Sequence, residues 1–299
     1  MATNNDKPLI TELKAIFKAE PWGTFPGIRA LAAVPLQDGR FTVRLDSGRF
    51  DCFLRRKASP YLFVLLHGAR DPETQPPIFS RWSWSARFPG SVVCISDPTL
   101  YLPKKQLRLG WYVGTDEKNW QLRLVGLVRT IAEKLGVDTN KIICYGSSGG
   151  GFAGLMLASH LKNATAVAIN PQTDVLKYHR RAVDEFLDAC FSGRKDADLS
   201  PAELARVSAI TAFRRAPNAK CIIVQNQIDT AHYERHYKPF CKAFNIPVEG
   251  GVDKTGRAVS VLYSHPNGHG AEPPEIVDSL IATAVNLTGL QLPIANKTI

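Results

Sequence analysis

Residues Lys141 to His160 read Lys-Ile-Ile-Cys-Tyr-Gly-Ser-Ser-Gly-Gly-Gly-Phe-Ala-Gly-Leu-Met-Leu-Ala-Ser-His. An apolar run, Ile142 to Tyr145, stops at Gly146-Ser147-Ser148-Gly149-Gly150, and small and apolar residues follow. The pattern predicts a strand, a tight turn and a helix. A serine at the apex of such a turn projects its hydroxyl clear of the sheet. The residues two before and two after it then approach each other, so both must be small. Gly146 and Gly150 meet that condition for Ser148, whereas Ser147 would require Tyr145 to do so. Ser148 is therefore the candidate nucleophile of a Gly-x-Ser-x-Gly frame. Glycine-rich turns that open a helix also cradle phosphate. This one lacks the lysine of Gly-x-x-x-x-Gly-Lys-Ser/Thr and the spacing of Gly-x-Gly-x-x-Gly.

The segments on either side extend the same pattern. Tyr61 to Leu66 is apolar without alternation, as in a strand covered on both faces. Ser91 to Ser96, Ala164 to Ile169 and Cys221 to Gln225 read the same way, and Pro247 to Val252 and Ala258 to Tyr263 read as later strands. Helical periodicity marks Trp120 to Leu135, ended by Gly136, then His232 to Phe244 with Pro239 as a kink, and Pro274 to Leu287. Strands alternating with helices predict an α/β fold with a mostly parallel central sheet flanked by helices. Ahead of it, residues 8–20 carry Leu9, Leu13, Ile16 and Phe17 on one helical face. Ile28 to Pro35, Phe41 to Leu45 and Arg49 to Leu54 suggest an N-terminal antiparallel meander, with turns at Asp38-Gly39 and Asp46-Ser47-Gly48. Residues 175–218 are charged and helical, with Pro201 and Pro217 as punctuation, and predict a helical insertion after the strand that follows the nucleophile helix.

Composition narrows the function classes. The chain has 299 residues, 44% hydrophobic and 21% charged, enough for one large domain or one domain with a small addition. No run approaches the ~18–20 apolar residues of a membrane span, and Met1 to Lys7 lacks the apolar core of a leader peptide. The six cysteines are scattered with no Cys-x-x-Cys, which predicts buried reduced thiols and a cytoplasmic location. The net charge of +10 favours an anionic partner. The basic residues are dispersed, however, and no recognition motif accompanies them, so nucleic acid is not expected.

In parallel sheets, sites form beyond the C-terminal ends of the strands. Ser148, Asp229 and His269 each follow a strand, in the order Ser, Asp, His. A serine hydroxyl needs a base; His269 would take its proton and later return it, and Asp229 would hold the imidazole in the right tautomer. Gly268 and Gly270 leave that ring room. The backbone N–H groups of Gly149 and of Ala69, after His67-Gly68, would form the oxyanion hole, with Arg70 as the alternative to Ala69. Rival assignments exist. Asp229 is placed to cap a helix at Thr230. Asp174 is a second acid and His265 a second base. His67 can hold its own loop. His232 and His236 have helical i,i+4 spacing but not the His-Glu-x-x-His pattern, so no metal is expected. Trp111, Tyr112 and Arg70 are candidate substrate contacts; the aromatics, with Trp82 and Trp84, form either core or a sugar-stacking platform. Arg180 and Arg181 suit an anionic substrate or a solvated helix face.

Taken together, His67-Gly68, Gly146 to Gly150, Asp229 and His269 make the chain resemble the α/β-hydrolase superfamily over about residues 60–287. The resemblance implies a catalytic domain over residues 59–299, carrying the insertion at about 175–218, with residues 1–58 as an N-terminal helix and β-meander packed on it. The loops Asn170-Pro171-Gln172-Thr173-Asp174 and Gln225-Asn226-Gln227 resemble bacterial hydrolases linked to surface polysaccharide, whose relatives include the acetyltransferase-like component of accessory secretion systems. That implies acyl-ester chemistry on a sugar: a serine esterase or deacetylase working through an acyl-enzyme, with a small-molecule or glycan ester as substrate and no cofactor. An O-acyltransferase using the same triad, a peptidase or thioesterase, and a non-catalytic binding module are the alternatives. The sequence sets no oligomeric state.

Overall fold

The computed structural model describes residues 6–103 and 106–289. Met1 to Asn5 lie outside the described residues, and so does the side chain of Leu9. Ten strands form one sheet: β1 (Thr24–Phe25), β2 (Gly39–Leu45), β3 (Gly48–Arg55), β4 (Leu62–Leu66), β5 (Ser91–Ile95), β6 (Ile142–Ser147), β7 (Thr165–Ile169), β8 (Lys220–Asn226), β9 (Gly251–Val252) and β10 (Ala258–Tyr263). Their order is β1-β2-β3-β5-β4-β6-β7-β8-β10-β9. From β5 through β4, β6, β7 and β8 to β10 every pairing is parallel. β2 and β3 form a hairpin that joins this sheet antiparallel to β5. The continuous apolar runs have the reason expected of them, since β4, β5 and β7 are buried at every position.

The helices are α1 (Asp6–Lys18), α2 (Ile28–Ala32), α3 (Trp120–Lys134), α4 (Gly149–His160), α5 (Arg180–Cys190), α6 (Pro201–Arg206), α7 (Ala209–Arg214), α8 (Thr230–His232), α9 (Lys238–Phe244) and α10 (Pro274–Gly289). They cover both faces of the sheet. Core residues of α3, α4, α5, α7 and α9 form one cluster with one side of the strands. Val277, Leu280, Ile281, Ala284 and Leu287 of α10 form the other, with Ile16 and Phe17 of α1 at its margin. At about 25 cal/mol per Å² of apolar surface, these two layers are the main source of stability. Helix α3 opens on Asn119, whose Oδ1 accepts from the N–H of Leu122 at 3.3 Å. α5, α6 and α7 make up the helical segment between β7 and β8.

Three segments differ from the pattern reading. Ile28 to Pro35, expected as a strand, opens as helix α2, because Arg-Ala-Leu-Ala favours helix and only Leu31 is buried. Pro247 to Val252 gives only the two-residue β9; Pro247 has no N–H to donate, and Gly250 and Gly251 turn the chain with φ of 95° and 139°. His232 to Phe244 is helical throughout, as expected, but not regular. A π-helical turn over Tyr233–Tyr237 joins α8 to α9, and Pro239, which has no N–H to donate, follows directly on that turn. All six cysteines are buried and free. Among the described residues, no helix is long and apolar enough to cross a membrane.

Candidate active site

The turn between β6 and α4 is as tight as its glycines suggest. A Cβ on Gly146 would lie 2.4 Å from the carbonyl carbon of Gly150, and one on Gly150 would lie 2.3 Å from the carbonyl oxygen of Leu66. Ser148 adopts φ 56° and ψ −123°, a strained conformation for a residue with a side chain. The next residue, Gly149, begins α4. The first N–H groups of a helix have no acceptor within it, so they point outward beside the serine. Gly68 packs against the same turn, where a Cβ would meet the carbonyl oxygen of Ser147 at 3.0 Å and Cβ of Ser148 at 3.2 Å. The N–H of Arg70 is spent on the carbonyl of Arg108 at 2.8 Å, so it is not available beside the serine.

Ser148, Asp229 and His269 converge. Ser148 Oγ lies 2.9 Å from His269 Nε2, and His269 Nδ1 lies 2.6 Å from Asp229 Oδ2. A hydroxyl against one imidazole nitrogen, with a carboxylate on the other, can pass its proton to the ring and recover it. Asp229 also caps α8, accepting from the N–H of His232 at 3.3 Å. The capping and pairing geometries coexist on one carboxylate. Burial pushes its pKa up, but hydrogen bonds from His232 and His269 outweigh burial and hold it well below the usual carboxylate range.

The loop carrying His269 is suspended from three points. Asn226 Nδ2 donates to the carbonyls of His265 and Gly268, both at 2.8 Å, and its Oδ1 accepts from the N–H of His265 at 3.1 Å. Asn170 Nδ2 donates to the carbonyl of Gly270 at 3.1 Å, while its Oδ1 accepts from the N–H of Asn226 at 2.7 Å. Three residues past the histidine, Glu272 is fully buried and accepts from Arg81 Nε at 2.8 Å, Arg81 Nη2 at 2.5 Å and the Tyr145 hydroxyl at 2.8 Å. Arg81 Nη2 donates also to Ser147 Oγ at 3.0 Å, which ties the histidine loop to the turn that bears Ser148.

The rival residues lie elsewhere. Asp174 accepts from the N–H of Leu176 at 3.1 Å and faces Lys177. His265 Nδ1 accepts from its own loop, at Asn267. His67 is buried and bonds the carbonyl of Gly68 through Nδ1 at 2.7 Å and the N–H of Asp97 through Nε2 at 2.9 Å, a loop-holding role. Burial pushes its pKa down to about 4, so it is neutral at neutral pH.

Two expected substrate contacts are corrected. Trp111 and Tyr112 are 0% and 1% exposed, so neither presents a face for a sugar to stack on. Trp111 packs edge-on against Tyr178 and Phe186. The Tyr112 hydroxyl donates to the carbonyl of Ile95 and accepts from the N–H of His67. Arg70 is buried, and its guanidinium donates to the carbonyls of Leu107, Pro72 and Thr74 at 2.8–2.9 Å, which braces two loops, yet it also lines the cleft beside Ala69. Trp82 stacks on Phe17 with ring centroids 3.9 Å apart, and Arg180 and Arg181 pair along α5 with Asp184 and Glu185.

Two further residues reach the site, neither of which the sequence pointed to as a partner of Ser148. Gln172 Nε2 donates to Ser148 Oγ at 3.0 Å and lies 2.8 Å from His232 Nε2. His232 Nδ1 lies 3.0 Å from Asp229 Oδ2, and its ring stacks on that of His269 at 3.8 Å and 14°. Burial lowers the pKa of His232. One ligating atom each of Asp229, His232 and His269 lies within 4.8 Å of the others. These atoms are already hydrogen bonded, so a cation would have to displace those bonds. A cleft of about 600 Å³ opens here, lined by Ala69, Arg70, Leu109, Tyr178, His179 and Arg181 among others.

No family model and no curated protein matches the chain in sequence. Solved structures resemble it in fold. The capsule O-acetyltransferase of Neisseria meningitidis serogroup A superposes with a TM-score of 0.58 at 14% identity, over 82% of this chain and 94% of that one. Porphyromonas gingivalis dipeptidyl peptidase 4 gives 0.56 at 14%, over 85% of this chain and 35% of its own. A chain of the glycosylation-associated Gap123 complex of Streptococcus agalactiae gives 0.55 at 13%, over 79% and 43%. The chain thus spans less than half the length of the latter two. At these identities the likeness shows the fold, a mostly parallel mixed sheet flanked by helices, of the α/β-hydrolase type.

Proposed function

We propose that this protein is a serine acyl-transfer enzyme acting on a carboxylic ester, and that the ester is an O-acylated carbohydrate which it deacylates. The observation that carries the reading is the hydrogen-bonded chain Ser148–His269–Asp229 on a strained turn at the C-terminal end of a parallel strand. Ser148 Oγ attacks the acyl carbon while its proton passes to His269 Nε2. The carbonyl electrons move onto oxygen and are held by the N–H groups of Gly149 and Ala69. As they return, the bond to the alcohol breaks, and that alcohol leaves with the proton from His269. Water then repeats the sequence on the acyl-enzyme, with Ser148 Oγ as the leaving group. Asp229 stays ionised throughout, consistent with its depressed pKa.

A second reading is an O-acyltransferase, in which a sugar hydroxyl replaces water. The neighbour matched over 94% of its length, a capsule O-acetyltransferase, favours it, and one structure of that enzyme holds CoA. The deciding experiment is fluorophosphonate labelling read by intact mass on wild type and Ser148→Ala, with p-nitrophenyl acetate turnover in the presence and absence of a carbohydrate acceptor. One adduct on wild type and none on the variant, with turnover down by at least about 10³-fold, is expected. Acceleration by the acceptor, with acetyl appearing on the sugar, selects the transferase. A folded wild type that neither labels nor turns over overturns both readings and leaves a binding module.

A further inference from the structure

Donors and acceptors around Ser148 admit one consistent arrangement. The indole N–H of Trp111 can only donate, and it meets Gln172 Oε1 at 3.1 Å. The amide of Gln172 is thereby oriented, with its NH₂ group facing Ser148 Oγ at 3.0 Å and His232 Nε2 at 2.8 Å. His232 Nε2 must then accept. Its proton is on Nδ1, where it is donated to Asp229. Ser148 Oγ accepts from Gln172, so its own proton points at His269 Nε2, 2.9 Å away. Trp111 and Gln172 are both 0% exposed, and His232 is 4% exposed, so no member can trade its partner for bulk water at low cost.

We propose that Gln172 is a further catalytic residue, a neutral donor to the reacting oxygen itself, and that His232 and Trp111 are positioning residues that keep its NH₂ group turned toward Ser148. This rests on the reading of Ser148 as the nucleophile. Negative charge grows on Oγ twice in the cycle. In acylation Oγ loses its proton to His269 and bonds to the acyl carbon. In deacylation the incoming hydroxyl gives its proton to His269 and bonds to the acyl carbon, the acyl C–Oγ bond breaks, and Oγ takes the proton back from His269. The N–H of Gln172 sits on Oγ at both moments and competes with neither the oxyanion donors, which face the carbonyl oxygen, nor His269. Between these steps it fixes the serine rotamer. Gln172 follows β7, outside the Ser–His–Asp set, and acts through contact rather than charge.

The test uses the full chain and p-nitrophenyl acetate, with rapid-mixing bursts and fluorophosphonate labelling rates. Variants are Gln172→Met, Gln172→Glu, His232→Phe and the double variant Gln172→Met with His232→Phe. Gln172→Met is expected to lower kcat and the labelling rate by about 10- to 100-fold, the effect of one hydrogen bond to a developing charge, with KM within about twofold. Gln172→Glu keeps the side-chain size and an acceptor for Trp111 but turns an acceptor toward Oγ, so it decides the matter should the Met variant fail to fold. His232→Phe should cost less in the Met background than in wild type, because it acts through the same amide. Labelling and kcat within twofold of wild type in a folded Gln172 variant, with Ser148→Ala inert, overturn this inference alone. Independent, multiplicative effects of the two substitutions overturn the positioning role of His232. A folded wild type that is never labelled overturns the nucleophile reading, and this inference with it.

Discussion

Replacing Glu272 with Gln should destabilise the protein far more than the loss of one surface ion pair would. Arg81 and Glu272 have side-chain exposures of 6% and 0%, and Glu272 holds three hydrogen bonds, two from Arg81 and one from Tyr145. Glutamine keeps the shape but removes the charge. It leaves a guanidinium buried against a neutral amide, one end of which is itself a donor. Removing one partner of a buried pair costs about 3–5 kcal/mol, because the other charge stays desolvated. At about 2–4 °C per kcal/mol, Tm should fall by about 6–20 °C. Urea unfolding followed by tryptophan fluorescence, with calorimetry, measures it. Labelling of Ser148 should slow as well, because the pair anchors the loop that carries His269. The double variant Arg81→Met with Glu272→Leu leaves no buried charge unpaired and should recover most of the loss. A Glu272→Gln penalty below ~1 kcal/mol, the range of exposed pairs, refutes the argument, as does a double variant no more stable than the single.

Gly150→Ala places a methyl 2.3 Å from the Leu66 carbonyl oxygen, backbone that cannot swing aside. It should cost about 1–3 kcal/mol in chemical denaturation and slow fluorophosphonate labelling as α4 moves. Asn226→Ala removes the donors to the carbonyls of His265 and Gly268 and should lower kcat for p-nitrophenyl acetate by about 10-fold or more, a single positioning contact's worth, with little change in KM. His67 subtracts from stability as pH falls from 6.5 to 4, because with its pKa lowered to about 4 it stays neutral while the unfolded chain binds a proton. His67→Gln should flatten that slope by up to about 3 kcal/mol in denaturant titrations. Asp97 works in the opposite sense: burial raises its pKa to about 6, so the native state takes up a proton first as pH falls, and its contribution should emerge in the variant.

The strands and the turn were legible because each is written in contiguous residues. A strand buried on both faces has no polar position, and a turn that brings residues 146 and 150 into contact tolerates only glycine there. Ser148, Asp229 and His269 could be named together because each ends a parallel strand, which the strand pattern locates. Gln172 and His232 could not. Gln172 lies three residues past β7, in a loop that the sequence marked only as a resemblance, and its contact with Ser148 is fixed by Trp111, 61 positions away. The one local hint was His232 at the third position after Asp229, on the turn that the aspartate caps. Trp111 and Tyr112 misled because an aromatic in an irregular loop reads alike whether it packs inward or faces solvent. Their left-handed backbone, φ 52° and 60°, turns them into the core, and nothing in the residue types announces it.

The sheet ends on both sides in strands of only two residues, β1 and β9. Pro26 closes the first, and Gly250 leads into the second. An open row of unpaired backbone groups is a template for another chain, and ten strands would otherwise offer two such rows. Here the outermost strand on each side covers only two positions of its neighbour, Thr42 and Val43 of β2 and Val259 and Ser260 of β10. The parallel core strands β4 to β8, the slowest to pair and the most exposed to aggregation while they do so, lie inside these flanks, with β3, β2 and β1 on one side and β10 and β9 on the other.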